Sequence, residues 1–418
     1  MNAHDTPTHP AGAPRGPLRV LFLNDTARNG GPGRSLHTIL SHLDPAAVTR
    51  LVLLPREDVI ATLLRESRCT EEIIVDPDLI ENPFQPRDRP IERDDLDAPW
   101  RLRGPRLALN VARLGRLAVT LPRLLRDRRV DVIYCNGTTA DFVGALMAVV
   151  TGIPAIWHVR YTSVPAASKP LHTWLSSRPE VARIVCVSRA SASLFPHCPD
   201  KAVVIHNAVD LDRFRRGSTE GCIKRGDDAA AFVFGSMGRV LPRKGYPHMI
   251  RAARVLLDRA TEEERARVRF VVVGDTPADL PGDHLGECRA LVRELGLDGC
   301  FQLPGFTADV RPWLEDFDVV VLPSVYPDPL PRTVIEGMAY GCPVIAFDVG
   351  GVGEMVRDGE TGTLMPPEPT PEALADVMLA YLRDPGRVRR EGDRAREVVI
   401  DAFDARHHAA KIAAQIAL

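Results

Sequence analysis

Residues 318–351 read DVVVLPSVYPDPLPRTVIEGMAYGCPVIAFDVGG. The opening DVVVLPS, 318–324, has the unbroken apolar character of a strand covered on both faces. A proline-rich loop follows, and Pro331 suits the first turn of a helix, where its missing N–H is no loss. Gly341 suits the left-handed residue that ends such a helix, and PVIAFDVGG, 343–351, is a second buried strand. Strand, helix and strand in this order describe a parallel pair joined by a crossover helix.

The same alternation runs outward in both directions. Toward the C-terminus the helix PEALADVMLAYL follows at 371–382. Toward the N-terminus, AFVFGSMGRV leads to a helix near 247–259, and RVRFVVVGD (267–275) to another near 285–296. An earlier series begins with LRVLFLN (18–24), then a glycine-rich turn, GGPGRS (30–35), and a helix with Leu36, Ile39, Leu40 and Leu43 on one face. It continues through DVIYCN (131–136), AIWHVR (155–160), RIVCVS (183–188) and AVVIHN (202–207). Between the two series lies the polar, charged stretch RRGSTEGCIKRGDDAA, 215–230. These patterns predict an α/β chain of two doubly wound, parallel-sheet domains, 17–214 and 231–400, with 215–230 as linker. A disordered tail is expected over 1–16, and a C-terminal helix over 401–418 that could pack back on the first domain. Ligands of such sheets bind beyond the carboxyl ends of the strands, so a cleft between the domains is the place to look for function.

Composition removes several classes. Apolar residues make up 45 %, charged residues 26 %, and the net charge is −2, which lacks the basic excess of a nucleic-acid binder. Eight cysteines show no C-x-x-C pair, and no H-E-x-x-H occurs among twelve histidines, so neither a disulfide framework nor a zinc site is expected. No apolar run is long enough to span a bilayer, which makes the cytoplasm the default location. The arginine- and leucine-rich 98–130 allows two readings: an ordinary outer helix, or a basic amphipathic surface in peripheral contact with a membrane. The preceding 80–97 reads as an irregular insertion.

Two stretches carry chemistry. In GSMGRVLPRKGY, 235–246, glycines let backbone approach a bulky anion while Arg239 and Lys244 neutralise it. Only five lysines occur in the chain, which makes one in such a loop conspicuous. The P-loop pattern is absent, so a diphosphate suits these groups better than a triphosphate with magnesium. In 326–341, Asp328 sits on the proline-stiffened loop and Glu336 inside the helix, eight positions later. The start of that helix offers free amides to a phosphate, and Glu336 suits a diol such as ribose. Three D-x-D triplets, Asp95–Asp97, Asp210–Asp212 and Asp316–Asp318, follow no convincing strand and are read as chance patterns rather than a metal site. The 30–35 turn lacks the third glycine of a dinucleotide fingerprint.

Taken together, these stretches resemble the family-four retaining glycosyltransferases. The match is tightest over 235–366 and extends more loosely to VVIHNAVDLDRF (203–214) and NGGPGRS (29–35). The resemblance implies the GT-B fold, two Rossmann-like domains facing a central cleft, and metal-independent transfer of a sugar from a nucleoside-diphosphate donor to an acceptor hydroxyl with retention. No cofactor is implied beyond the donor, and the acceptor could be a glycan, a lipid-linked sugar or a small molecule. It places the diphosphate on Arg239 and Lys244, the ribose on Glu336, and the donor sugar against Asp328 and His158. Gly238, Leu330, Pro331, Arg332 and Thr333 would line the donor site, and Gly31 and Gly33 the loop that closes over it. Arg160 and Asn136, also at strand ends, are further candidates for the cleft. Two departures stand out: Asp328 replaces the family's glutamate, and Leu330–Pro331 replace its Phe-Gly. Ala208 likewise stands where the family usually has glycine. A nucleotide-sugar epimerase or hydrolase of the same fold, or a non-catalytic nucleotide-sugar sensor, are the alternative readings.

Overall fold

The computed structural model describes residues 16–26, 30–80, 100–166, 168–224, 230–277 and 282–418, with side chains 100–107 left aside. The expected tail, the 80–97 insertion past residue 80, the Asp95–Asp97 triplet and linker residues 225–229 lie outside these.

Two parallel sheets form. The first contains β1 (Leu18–Asn24), β2 (Val48–Leu54), β3 (Glu72–Val75), β4 (Val132–Asn136), β5 (Ala155–Val159), β6 (Val181–Cys186) and β7 (Ala202–Val204). Its spatial order is β3-β2-β1-β4-β5-β6-β7. The second contains β8 (Phe232–Met237), β9 (Val268–Val273), β10 (Phe301–Gly305), β11 (Val319–Leu322), β12 (Val344–Phe347) and β13 (Gly362–Met365), in the order β10-β9-β8-β11-β12-β13. Each sheet therefore reverses its winding once, between β1 and β4 and between β8 and β11. Such a reversal opens a crevice at the carboxyl ends of the two central strands.

Why these strands are central is visible in their composition. Val20 to Leu23 of β1 and Val319 to Val321 of β11 are without exposed surface, buried beneath helices on both faces. The strands β2, β3, β10 and β13 do not figure in the alternation read from the sequence. Three of them sit at or near sheet edges and carry polar or charged residues, such as Glu72, Gln302 and Thr363, which interrupt the apolar run.

The glycine-rich 30–35 is not a turn. The helix Gly31–His42 already begins there, with Gly30 as its cap and a proline in its first turn, so Gly31 and Gly33 belong to the helix rather than to a loop. Pro32 fixes its own φ at a helical value, and the buried Leu36, Ile39 and Leu40 continue the helical spacing. Similarly, Pro331 caps the helix Arg332–Ala339 instead of lying within it. The end of that helix matches its sequence signature: Gly341 has φ +72°, and Gly341 and Cys342 donate to the Met338 and Gly337 carbonyls.

Residues 216–224 do not hang free between the sheets. Arg216 donates to the carbonyls of Tyr340, Glu315 and Phe317 (3.0, 2.8 and 3.0 Å), and Lys224 pairs with Asp318 at 2.8 Å. The chain then crosses back near its end. Val209 N donates to Phe403 O and Ala405 N to Val209 O (2.9 and 3.0 Å), which laces the two crossings together. Beyond them the helix Ala405–Ile416 packs on the helix Gly31–His42, with Ile412 and Ile416 in the first domain's core.

The tight seat of β8 gives a test of the fold. A Cβ on Gly235 would stand 2.2 Å from the Phe317 ring, in the core of the second domain. Gly235→Ala should therefore lower stability by about 1–3 kcal/mol, as overpacking does. Urea unfolding followed by circular dichroism checks this, and an unchanged midpoint would contradict the packing.

Candidate functional site

The β8 and β11 exits supply the two sides of the crevice in the second domain. After β8 the chain passes Gly238 and the exposed Arg239 and makes a short 3-10 turn, Pro242–Lys244. Gly245 ends that turn at φ +67°, and a Cβ there would stand 1.9 Å from the Pro323 carbonyl. Only glycine lets the turn press so closely on the β11 exit. Ser324 Oγ and Val325 N both donate to Arg243 O (3.2 and 3.1 Å), stitching the two loops together. Lys244 Nζ thereby meets Asp328 Oδ2 at 2.5 Å, with both side chains more than four-fifths buried.

The loop that carries Asp328 is held from both domains. Thr162 Oγ1 of the first domain donates to Pro327 O (2.8 Å), and Asn207 Nδ2 donates to Leu330 O (2.9 Å). From the second domain, Gly351 N donates to Asp328 O (2.9 Å). A Cβ on Gly350 would lie 2.2 Å from Asp328 O, and one on Gly351 2.0 Å from Pro329 O. The paired glycines after β12 are what allow this clasp.

One turn further on, Glu336 pairs with Arg332 at 3.2 Å, both side chains nearly buried. Arg332 also donates to Ser35 Oγ and to Ala208 O (3.2 and 3.1 Å), so the start of this helix is tied to the first domain. Thr333 Oγ1 donates to Met237 O (3.3 Å) at the β8 exit. Arg34, His37, Arg213, Arg332 and Glu336 line a cleft between the two helices. Burial, with Arg213, Arg332 and Arg34 nearby, pushes the His37 imidazole down to about 4. This side of the cleft thus carries an excess of positive charge.

His158 is the penultimate residue of β5 and has no exposed surface. Its Nδ1 faces Tyr134 Oη at 2.6 Å and the Arg160 guanidinium at 3.3 Å. Arginine can only donate, so Nδ1 accepts and the ring proton belongs on Nε2. Burial, then the Arg160 and His408 charges, hold this imidazole well below its usual range. The ring thus reaches the cleft only through Arg160, which donates to Asn136 Oδ1 and Asn207 Oδ1 (2.7 and 2.5 Å). His158, expected near the donor sugar, is fully covered and its Nδ1 supports Arg160.

Asn207, Ser35, Thr162 and the Gly350–Gly351 pair are the positions that sequence reasoning did not single out. Each lies within or beside a quoted stretch; all but Ser35, which meets the Arg332 and Asn207 side chains, act on backbone, which leaves little signal in residue type. Glu354 is another: its carboxylate accepts from Arg189 N (2.8 Å) and meets His206 Nε2 at 3.0 Å across the domain boundary. Of the D-x-D residues, Asp316 and Asp318 receive backbone N–H groups of Ile223 and Val233 (2.5 and 2.8 Å), and Asp210 those of Asp212 and Arg213 (3.0 and 3.2 Å). Each of these three carboxylates thus accepts from backbone, Asp210 within its own turn and Asp316 and Asp318 from distant segments. Among the described residues no group of three potential metal ligands occurs.

Residues 75–213 match the family described as Glycosyltransferase Family 4, and residues 231–384 the family described as Glycosyl transferases group 1. The chain is 29 % identical over 293 residues to D-inositol 3-phosphate glycosyltransferase of Streptomyces scabiei, covering 65 % of this chain and 64 % of that one. It is 24 % identical over 265 residues to UDP-Gal:alpha-D-GlcNAc-diphosphoundecaprenol alpha-1,3-galactosyltransferase of Escherichia coli, covering 59 % and 65 %. The match thus spans slightly less than two thirds of the length of these relatives. In three dimensions the chain is similar to HepE of Anabaena, solved in complex with UDP-glucose. The TM-score is 0.74 at 22 % identity, over 96 % of this chain and 99 % of that one. The likeness shows that the two sheets have the GT-B arrangement.

The buried imidazoles make stability depend on pH. Burial and nearby cations hold His408 down to about 3, against an unfolded value near 6.5. The unfolded chain therefore binds more protons below pH 6.5, and stability falls as pH drops from 6.5 toward 3. One such histidine contributes a slope of at most about 1.4 kcal/mol per pH unit. His408→Phe should flatten the pH dependence of the urea midpoint between pH 7 and 5; an unchanged slope would refute the assignment.

Proposed function

Because the chain belongs to the group 1, family-four glycosyltransferases, we propose that it transfers a sugar from a nucleoside-diphosphate donor to an acceptor hydroxyl, with retention and without a metal ion. The observation that carries this reading is the Lys244–Asp328 contact between the β8 and β11 exits, on the loop that leads directly into the helix of the Arg332–Glu336 pair, with Arg239 on the same loop as Lys244. The residues come from separate motifs, and the β8–β11 reversal brings them together.

In this reading the diphosphate lies against Lys244, Arg239 and the start of the helix Arg332–Ala339. Pro331 has no N–H, so the first donors there are the amides of Arg332 and Thr333. Glu336 exchanges part of its contact with Arg332 for ribose hydroxyls, and Leu330 and Gly238 wall the donor. The bond from the anomeric carbon to the phosphate oxygen breaks with oxocarbenium character. Negative charge growing on the leaving phosphate is met by Lys244 and Arg239, the task a metal ion performs elsewhere. The acceptor oxygen adds on the same face, and its proton passes to the leaving phosphate. No carboxylate nucleophile is needed, unlike in a retaining hydrolase.

Where the protein works is a separate part of the reading. Among the described residues no helix is long and apolar enough to cross a membrane. However, the helices Trp100–Asp127, Thr138–Thr151 and Lys169–Ser177 adjoin one another and cover one face of the first sheet. Their outer sides expose Val111, Val119, Leu146, Val150, Leu171 and Trp174, beside the exposed cations Arg123, Arg126 and Lys169. We propose that this layer rests on an anionic lipid surface, to which apolar side chains, an indole and excess positive charge are together suited.

Two experiments test these statements. Purified protein is incubated with UDP-, GDP- and dTDP-sugars, with and without candidate acceptors, and nucleotide release is followed. Acceptor-dependent release that persists in EDTA is expected; release without acceptor would favour a hydrolase, and binding without turnover a sensor. Lys244→Ala should slow turnover about 10²–10³-fold, whereas Arg65→Gln, at an exposed ion pair with Glu57, should not. Equal effects would refute the phosphate role. For the surface, vesicles containing phosphatidylglycerol should sediment the protein and pure phosphatidylcholine vesicles should not. Leu171→Ser with Trp174→Ser should abolish sedimentation without changing turnover of a soluble donor; wild-type protein left in the supernatant would overturn the proposal.

A further inference from the structure

The Lys244–Asp328 pair raises a question that the donor-site reading leaves open. Lys244 is the cation expected to hold a phosphate, yet it is already neutralised by Asp328 at 2.5 Å. Asp328 is one methylene shorter than the glutamate of the family pattern. It reaches the lysine because Gly245 and the Gly350–Gly351 pair press the turn and the loop together.

The loop itself has little freedom to respond to a ligand. The carbonyls of Pro327, Asp328 and Leu330 accept from Thr162, Gly351 and Asn207, and Asp328 N donates to Tyr326 O at 2.6 Å. Releasing Asp328 by moving the backbone would leave several of these groups without partners, which is costly for each buried one. Rotating the side chain breaks none of them. The adaptable element is thus the carboxylate of Asp328 alone.

A diphosphate arriving at Lys244 displaces that carboxylate and, being anionic, repels it at short range. The carboxylate needs a new donor within reach, and a sugar hydroxyl attached to the diphosphate supplies one. A bare nucleoside diphosphate does not. We propose that Asp328 acts as an internal stand-in for phosphate, so that the crevice accepts a sugar-bearing diphosphate and disfavours the same diphosphate without its sugar. Resting on the donor-site reading, this gives Asp328 two connected tasks: it recognises the sugar, and it helps expel the product once the sugar has left.

The test uses inorganic pyrophosphate, which carries the diphosphate charge but neither base nor sugar. Binding is measured by calorimetry on the full chain for wild type, Asp328→Asn, Asp328→Glu and Lys244→Ala, each checked for an unchanged melting temperature. Asp328→Asn should bind pyrophosphate at least about tenfold more tightly than wild type, because it removes the competing charge. Asp328→Glu keeps that charge on a longer side chain and should bind it less tightly than Asp328→Asn. In turnover with whichever donor the screen identifies, Asp328→Asn should be inhibited more strongly by its own nucleoside diphosphate. Equal or weaker pyrophosphate binding by Asp328→Asn, with Lys244→Ala still lowering affinity, would overturn the stand-in while leaving the donor site in place. If Lys244→Ala binds pyrophosphate and turns over as wild type does, the donor-site reading itself fails.

Discussion

Everything at the cleft depends on how closely two loops at a sheet reversal can approach. The β8 and β11 strands are neighbours, but a shared edge alone does not bring a lysine and an aspartate eighty-four positions apart into contact. The approach requires Gly245 against Pro323 and Gly350–Gly351 against Asp328–Pro329, where any side chain would collide with backbone. Those contacts fix the loop. The charged residues then have one geometry to adopt, and the electrostatics of the site follow from it.

The domain boundary is built around the same loop. Thr162 and Asn207 of the first domain donate to its carbonyls, and Arg332 reaches back to Ser35 and Ala208. Asn207 is also the acceptor for Arg160, whose guanidinium leans on His158 and Asn136. A buried polar network of this kind favours a single arrangement only when its members are paired, since an orphaned group in low dielectric is costly. The domains therefore hold each other through the segment that would touch the donor sugar. Relative motion of the domains, the usual way such enzymes exclude water, would be felt first at Asp328 and Leu330. Glu354 adds a second tie, capping the helix Arg189–Ala192 and pairing with His206.

The sequence made the central strands and the charged motifs legible because both have strong local signals. An unbroken run such as Val319 to Leu322 and a glycine-flanked Arg239–Lys244 loop need no tertiary knowledge. Three of the four edge strands were not legible: Glu72, Gln302 and Thr363 sit where a sheet margin tolerates polarity. The reading of 30–35 as a turn gave glycine more weight than the proline that starts the helix. His158 shows a different limit, because a histidine at a strand end looks the same whether its ring faces a ligand or Tyr134. The residues that hold backbone, Asn207, Thr162 and Gly351, were invisible for a simpler reason. Their partners are carbonyls, and every residue has one.

The two departures from the family pattern acquire a common physical sense at this point. A proline at the helix start removes one amide donor, so a diphosphate bound there as proposed would rely more on side-chain cations. In the proposed donor site Lys244 would be the principal point charge, and a permanently open lysine in a half-buried crevice would bind any phosphate. An aspartate held against it reduces that indiscriminate affinity, and a shorter side chain does so better than a longer one because it has fewer conformations to lose. Asp328 and Pro331 thus need not be separate losses of a glutamate and a glycine. They act on the same quantity, the balance of charge at the phosphate.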